Sequence, residues 1–242
     1  MAMVKVTENA KFYNSVCNTK GVLEKVSWTG DEVDVQPLLD SEGGFILDDQ
    51  VNGGFLLQRN SHGSYVIHTA FLPTTKVGLP LQVAKDCLWL AFLALDVQKL
   101  YSSACESNPA AKRLMKRCGF REEFSSPSRF GGGRVETFYS LDIDTYIRSN
   151  PLLREMGEEF HSLVEETTNH GEDEVHDYYA GAAVAFIRCA NYAKAEEVYN
   201  RWALLAGYET LEVYENEKLI EVGKMKIYLT EDLQGVREVV CQ

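Results

Sequence analysis

Cysteines at metal or redox spacing are missing from this 242-residue chain. Its six cysteines fall at positions 17, 87, 105, 118, 189 and 241, and no two form a CxxC. A zinc ribbon and a dithiol redox motif are thereby excluded. Several cysteines sit among apolar neighbours, as reduced core cysteines do, which fits a reducing compartment. Long apolar runs are missing as well. The greasiest stretch, residues 87–95, falls well short of the ~18 residues of a membrane span. The opening Met1-Ala2-Met3-Val4-Lys5-Val6 lacks the apolar core of a signal peptide. These features lead us to expect a soluble, cytoplasmic protein without a membrane partner.

Basic charge is in short supply. Lys and Arg number 24 against 36 Asp and Glu, for a net charge of −12. The deficit is uneven: 15 basic against 17 acidic residues in 1–147, and 9 against 19 in 148–242. Nonspecific nucleic-acid binding depends on neutralising phosphates, so no nucleic-acid partner is expected. An acidic half ordinarily means a solvated surface. His161, His170 and His176, with Asp173 and Asp177, follow neither HExxH nor EF-hand spacing. No metal site is expected, and the segment reads as an acidic helix-breaking loop.

The six prolines and the glycine pairs punctuate what is there. Residues 43–72 read as an antiparallel meander, with turns at Asn52-Gly53 and at 60–63. Pro73 ends the last of these strands. Pro80 suits the first turn of a helix over about 79–95, apolar nearly all round and therefore buried. Residues 99–106 read as a strand, 109–117 as a short helix stopped at Gly119, and 134–141 as a final strand. Composition makes 124–133 a mobile loop. Beyond Asp142 we expect a helix at 144–166, then two more at 175–190 and 193–206. Their Ala-rich pattern resembles one TPR-type helical hairpin, with no second copy. A C-terminal β-hairpin spans 210–214 and 219–229. The aromatic residues of this half, Tyr178, Tyr179, Tyr192, Tyr199, Trp202, Tyr208 and Tyr214, read as core filling ahead of a protein-binding surface. Trp28 is expected to pack the N-terminal segment. The domains are expected at 1–147 and 148–242.

The element Asn108-x-x-Ala111-x-x-Leu114-x-x-x-x-Gly119-Phe120, together with His68-Thr69-Ala70-Phe71-Leu72-Pro73 before a loop glycine and a long helix, resembles the GNAT N-acetyltransferase superfamily over residues 40–145. That resemblance implies an α+β fold: a mixed, mostly antiparallel sheet flanked by helices, here with a C-terminal helical and β-hairpin extension. It implies acetyl-CoA as cosubstrate and an amine as acceptor. Ala70, Phe71 and Leu72 would face the pantetheine arm. Lys76, Val77, Gly78 and Leu79 would cradle the pyrophosphate at a helix N-terminus. Asn108 would contact the CoA chain, and Arg113, with Lys112, Lys116 and Arg117, would help neutralise phosphate.

The departures from that pattern are specific. Thr75 stands where the loop usually opens with Gln or Arg, and Pro80 where a small residue is usual. Met115 stands at a tyrosine position that often protonates the leaving thiolate. For the base that deprotonates the acceptor ammonium, the candidates are His68, whose imidazole type titrates near neutrality, and Glu106. Each has a plain structural alternative on or at the end of a strand. The His68-Thr69-x-x-Leu72-Pro73 run and the compact crossover after it also resemble GNAT-like proteins encoded by bacteriophages. That resemblance implies the alternative of a catalytically weakened module acting in virion or head assembly. The partner would then be a phage or host protein, and the location the host cytoplasm or the virion. Self-association is open in either case.

Overall fold

The computed structural model describes residues 4–27, 30–95, 97–127, 134–164, 174–189, 191–207, 210–214, 219–222, 225–229 and 236–240. The chain divides into two compact units, Met1–Ile143 and Asp144–Gln242. Among the described residues no helix is long and apolar enough to cross a membrane.

The first unit runs β1 (Lys5–Thr7), α1 (Lys11–Cys17), α2 (Leu23–Val26), α3 (Gln36–Glu42), β2 (Phe45–Asp48), β3 (Gly53–Ser61), β4 (Ser64–Phe71), α4 (Leu79–Trp89), β5 (Lys99–Cys105), α5 (Pro109–Arg117), β6 (Arg121–Pro127) and β7 (Val135–Asp142). The strands form one sheet in the order β1-β2-β3-β4-β5-β7-β6. Every pairing is antiparallel except β4 with β5, which is parallel. This is the mixed, mostly antiparallel α+β sheet with flanking helices that the GNAT resemblance implied.

Period-two alternation sends successive side chains to opposite faces, and over β2 and β3 each face is packed by helices. Ile46, Leu56 and Ala70 pack with Tyr13, Val16 and Cys17 of α1 and Leu39 of α3. Leu47, Phe55, Leu57 and Ile67 are buried on the other face, where α4 crosses β2 and β3. The Cys87 thiol of α4 donates to the Leu47 carbonyl there, at 3.3 Å. Burial pushes the Cys17 and Cys118 thiols up to about 12, so both stay protonated at neutral pH. The last turn of the α4 helix widens into a π-turn, Leu90–Ala94. Leu95 N–H reaches back five residues to the Leu90 carbonyl at 3.0 Å.

One expectation fails in this unit. Composition made 124–133 a loop, but Arg121–Pro127 is strand β6. Phe124 pairs with Phe138 of β7, and the two rings stack at 4.8 Å. Pairing with a distant strand overrides a locally loop-like composition. Residues 128–133 lie outside the described residues, as does Trp28.

The second unit contains α7 (Pro151–Val164), α8 (Glu174–Arg188) and α9 (Tyr192–Ala206), after α6 (Ile143–Ser149), which begins at the boundary. The single helix expected over 144–166 is broken at Asn150-Pro151. Proline disfavours helical backbone in the residue before it, and the Asn150 side chain caps the new start by accepting from Leu152 N–H at 3.1 Å. The expected hairpin is a four-stranded antiparallel sheet: β8 (Leu211–Tyr214), β9 (Leu219–Val222), β10 (Met225–Leu229) and β11 (Val236–Val240). Helices α7 and α8 approach at glycines. A Cβ on Gly157 would lie 1.8 Å from the Asp177 carbonyl oxygen, and one on Gly181 would lie 1.6 Å from that of Leu153. His161 and His176 stack face to face at 4.0 Å. Asp177 bonds the first at 2.6 Å and the Tyr199 hydroxyl bonds the second at 3.0 Å. His170, Asp173 and Tyr208 fall outside the described residues.

Candidate active site

Strands β4 and β5 begin side by side and then part. Their register covers Ser64–Lys99, Tyr65–Leu100 and Val66–Tyr101 and goes no further, although β4 continues to Phe71 and β5 to Cys105. One side-chain bond spans the start of the gap, from Ser102 Oγ to the Ile67 carbonyl at 3.3 Å. Backbone groups alternate in direction along a strand. Since the Ile67 carbonyl points toward β5, those of Thr69 and Phe71 do too. The sheet therefore opens beside two residues of β4 whose edge has no ladder partner in β5.

Both strands lead into helices, so two helix N-termini sit at the same end of the opening. Helix α4 is entered through Gly78, at φ 90°, a left-handed conformation that glycine tolerates. Thr75 N–H is held by the Leu72 carbonyl at 3.1 Å, Leu79 N–H by Lys76 and Gln82 N–H by Gly78. Among the described residues, the N–H groups of Lys76, Val77, Gly78 and Leu81 have no backbone acceptor. Val77 is fully exposed. These groups, with the positive end of the helix dipole, suit an anionic ligand. Helix α5 begins at Asn108, whose Oδ1 accepts from Ala111 N–H at 3.2 Å. Its side chain is thus the N-cap of α5. Arg113 is exposed on that helix.

The sequence-predicted residues converge on this end of the sheet. His68 is exposed on β4 two residues beyond the last β4–β5 pair, with Nε2 3.3 Å from Gln58 Oε1. Ala70 is buried, and Phe71 and Leu72 are half-buried. Glu106 occupies the exposed turn after β5, where its N–H bonds the Val135 carbonyl at 2.9 Å. Met115 is buried in the core at 1% exposure, so it contributes packing and no proton.

Two supporting groups escaped the sequence reading. The Tyr13 hydroxyl donates to the His68 carbonyl at 2.7 Å, fixing β4 where the gap opens. Asp49 collects N–H bonds from Val51, Asn52 and Gly53 and a side-chain bond from Asn52, at 2.6–3.2 Å. The Asn52 carbonyl in turn accepts from Leu72 N–H at 2.7 Å and the Thr75 hydroxyl at 3.5 Å. Thr75 therefore ties the loop to the β2–β3 turn. The Asp-x-x-Asn spacing of an Asx-type turn was the signal available for this. A cleft of about 570 Å³ lined by Lys5, Thr7, Lys11, Phe12 and Gln50 lies at the β1 edge, away from the opening.

No family model matches the sequence, and no curated protein matches it either. Several solved structures are similar in chain trace. An acetyltransferase of the GNAT family from Bacillus anthracis aligns over 59% of this chain and 96% of its own, at 15% identity and a TM-score of 0.47. A spermidine N-acetyltransferase from Vibrio cholerae, in complex with CoA and spermine, aligns over 61% and 99%, at 17% identity and 0.49. An aminoglycoside acetyltransferase, AAC(6')-Ib, in complex with coenzyme A, aligns over 60% and 98%, at 16% identity and 0.48. None of these bears on a bacteriophage origin or on virion assembly. At such identity and overlap, the chemistry of this opening has to be read from its own residues.

Proposed function

We propose that the first unit binds acetyl-CoA in the opening between β4 and β5 and transfers the acetyl group to an amine. The observation that carries this is the parting of the two parallel strands after Val66–Tyr101, next to the N–H groups that precede α4. The N–H groups of Lys76, Val77, Gly78 and Leu81 would hold the pyrophosphate, with Lys76 and Arg113 adding positive charge. The β4 edge at Thr69 and Phe71 would pair with the amide-bearing arm. Acetyl-CoA supplies an activated thioester.

His68 stands at the mouth of the opening and would take one proton from the acceptor ammonium. The freed nitrogen then forms the new C–N bond as the C–S bond breaks. The second proton balances the departing thiolate, delivered by solvent, since Met115 cannot donate. Glu106, one turn beyond β5, is the alternative acceptor of the first proton.

Calorimetric titration of the full chain with acetyl-CoA tests the reading directly. Binding at micromolar to submillimolar concentration is expected, and no heat at millimolar acetyl-CoA would overturn it. In a turnover assay, general-base removal typically costs ~10²–10⁴-fold. His68→Ala should fall within that range at neutral pH while keeping its acetyl-CoA affinity. Undiminished turnover would take His68 out of the mechanism and leave Glu106→Gln as the next variant to try.

A further inference from the structure

One face of the sheet beside the opening carries a carboxylate that takes no part in the proposed proton transfer. Val66 pairs with Tyr101, Ser103 with Phe138, and Glu136 with Cys105. By alternation, His68 of β4, Ser103 of β5, and Glu136 and Phe138 of β7 share that face. Glu136 is 6% exposed. Its Oε1 accepts from Ser103 Oγ at 3.0 Å, and Ser103 itself is exposed. The carboxylate thus lies directly beneath a surface hydroxyl. Next to it, the Phe138 ring stacks on Phe124, which is 58% exposed.

A carboxylate offers about four acceptor positions, and a single hydroxyl fills one of them. Among the described residues, no Lys, Arg or His forms an ion pair with Glu136. Burying a carboxylate costs free energy that a cation or several hydrogen bonds must offset, and Glu136 has the one from Ser103. The exposed Phe124–Phe138 stack is independent of that charge. It offers apolar surface for a hydrocarbon chain and an aromatic face for a cation.

We infer that Glu136 receives the ammonium group of the acceptor, with the acceptor's alkyl chain lying on the Phe124–Phe138 stack. The acceptor class is then a primary aliphatic amine with several methylenes next to its nitrogen. This rests on the acetyl-transfer reading for what happens to the amine, although the binding step does not require it.

The test is calorimetric titration of the full chain with n-hexylamine, n-hexanol and methylamine, with and without acetyl-CoA. Hexylamine should bind at least about tenfold more tightly than either of the others. Glu136→Gln should reduce the hexylamine-to-hexanol ratio below about threefold, and Glu136→Asp should recover part of it. Acetyl-CoA affinity should stay unchanged in both variants. Should Glu136→Gln fail to fold by circular dichroism, the surface variant Phe124→Ser carries the test. It should weaken hexylamine several-fold and leave methylamine unaffected.

Equal binding of hexylamine and hexanol, no binding of hexylamine, or an unchanged ratio in both variants would overturn the inference. A purely structural Glu136 would shift the melting temperature and leave the ratio intact. If acetyl-CoA fails to bind while hexylamine binds through Glu136, the acetyl-transfer reading falls and this one stands. The reverse pattern separates them in the other direction.

Discussion

Asp48 and Asp49 sit side by side at the end of β2 and titrate in opposite directions. Burial pushes the Asp48 carboxyl above the ordinary carboxylate range, and bonds from Gln50 only partly offset it. Its Oδ2 is buried without a hydrogen-bond partner among the described residues. Burial also acts on Asp49, but the bonds from Asn52, Val51 and Gly53 outweigh it and the net direction is downward. The linkage signs follow. Asp49 stabilises the fold above the ordinary value near pH ~4 and loses that contribution as pH falls through its lower folded value. Asp48 favours the fold when protonated and loses that contribution as pH rises through its raised value.

Asp48→Asn should therefore keep or raise stability at pH 7, with the difference shrinking toward pH 4. Asp49→Ala should lower stability at pH 7 by about 1.5–3 kcal/mol, the usual worth of hydrogen bonds to a charged group. It should also weaken acetyl-CoA binding, because Asn52 holds Leu72 and Thr75. Urea melts at the two pH values and one titration decide both. At this scale the sequence offered His68 and the loop residues 76–79 as candidates, from a motif carried by neighbouring positions. It did not show Tyr13 or Glu136, because their roles depend on partners 55 and 33 residues away.

At the scale of elements, α5 was readable because its signals are local. Asn108 caps it, Pro109 opens it, and Phe120 N–H returns to the Met115 carbonyl at 3.0 Å after Gly119. Removing the cap with Asn108→Ala should cost about 1 kcal/mol, the usual worth of such a residue. The measurement is a denaturant midpoint with unchanged slope. If acetyl-CoA affinity falls by much more than that destabilisation explains, Asn108 also touches the ligand. The β4–α4 crossover was readable for the same reason. Strand β6 and helices α1–α3 were not. α1–α3 span seven residues at most, too few for a helical period to stand out. β6 exists through pairing with β7 across an interval that looks like loop. The helix break at Asn150-Pro151 was written in the sequence, since a proline disfavours helical backbone in the residue before it.

At the scale of the molecule, two compact units predict two unfolding events. Small single domains melt in one step, whereas chains of several domains generally do not. Scanning calorimetry should resolve two transitions, and acetyl-CoA should raise only the one that belongs to residues 1–143, by mass action. Gly157→Ala supplies the complementary handle. Its Cβ would meet backbone rather than a movable side chain, so α7 and α8 must separate, at a cost of about 1–3 kcal/mol or more. It should lower the other transition and leave the ligand-raised one in place. A shift of both together would mean the units melt as one. The change of character after Asp142 led to expected domains at 1–147 and 148–242, whereas the compact units divide between Ile143 and Asp144. The sequence concealed how closely α7 and α8 approach, since a glycine inside a helical pattern looks like a defect until its neighbour is known.

The π-turn at Leu90–Ala94 has a consequence for chain length. Such a turn holds one residue more than an α-helix would use over the same rise. Deleting the exposed Ala94 should let the segment close as ordinary α-helix while β5 still starts from the Gln98–Gly63 bond. The same deletion at Lys85 would rotate everything after it by about 100° and turn the buried Cys87 and Leu88 toward water. Paired deletion variants, compared for soluble yield and melting temperature, should show the first tolerated and the second lost. The end of α4 is thus the seam at which this fold can shorten by a residue without rewriting its core.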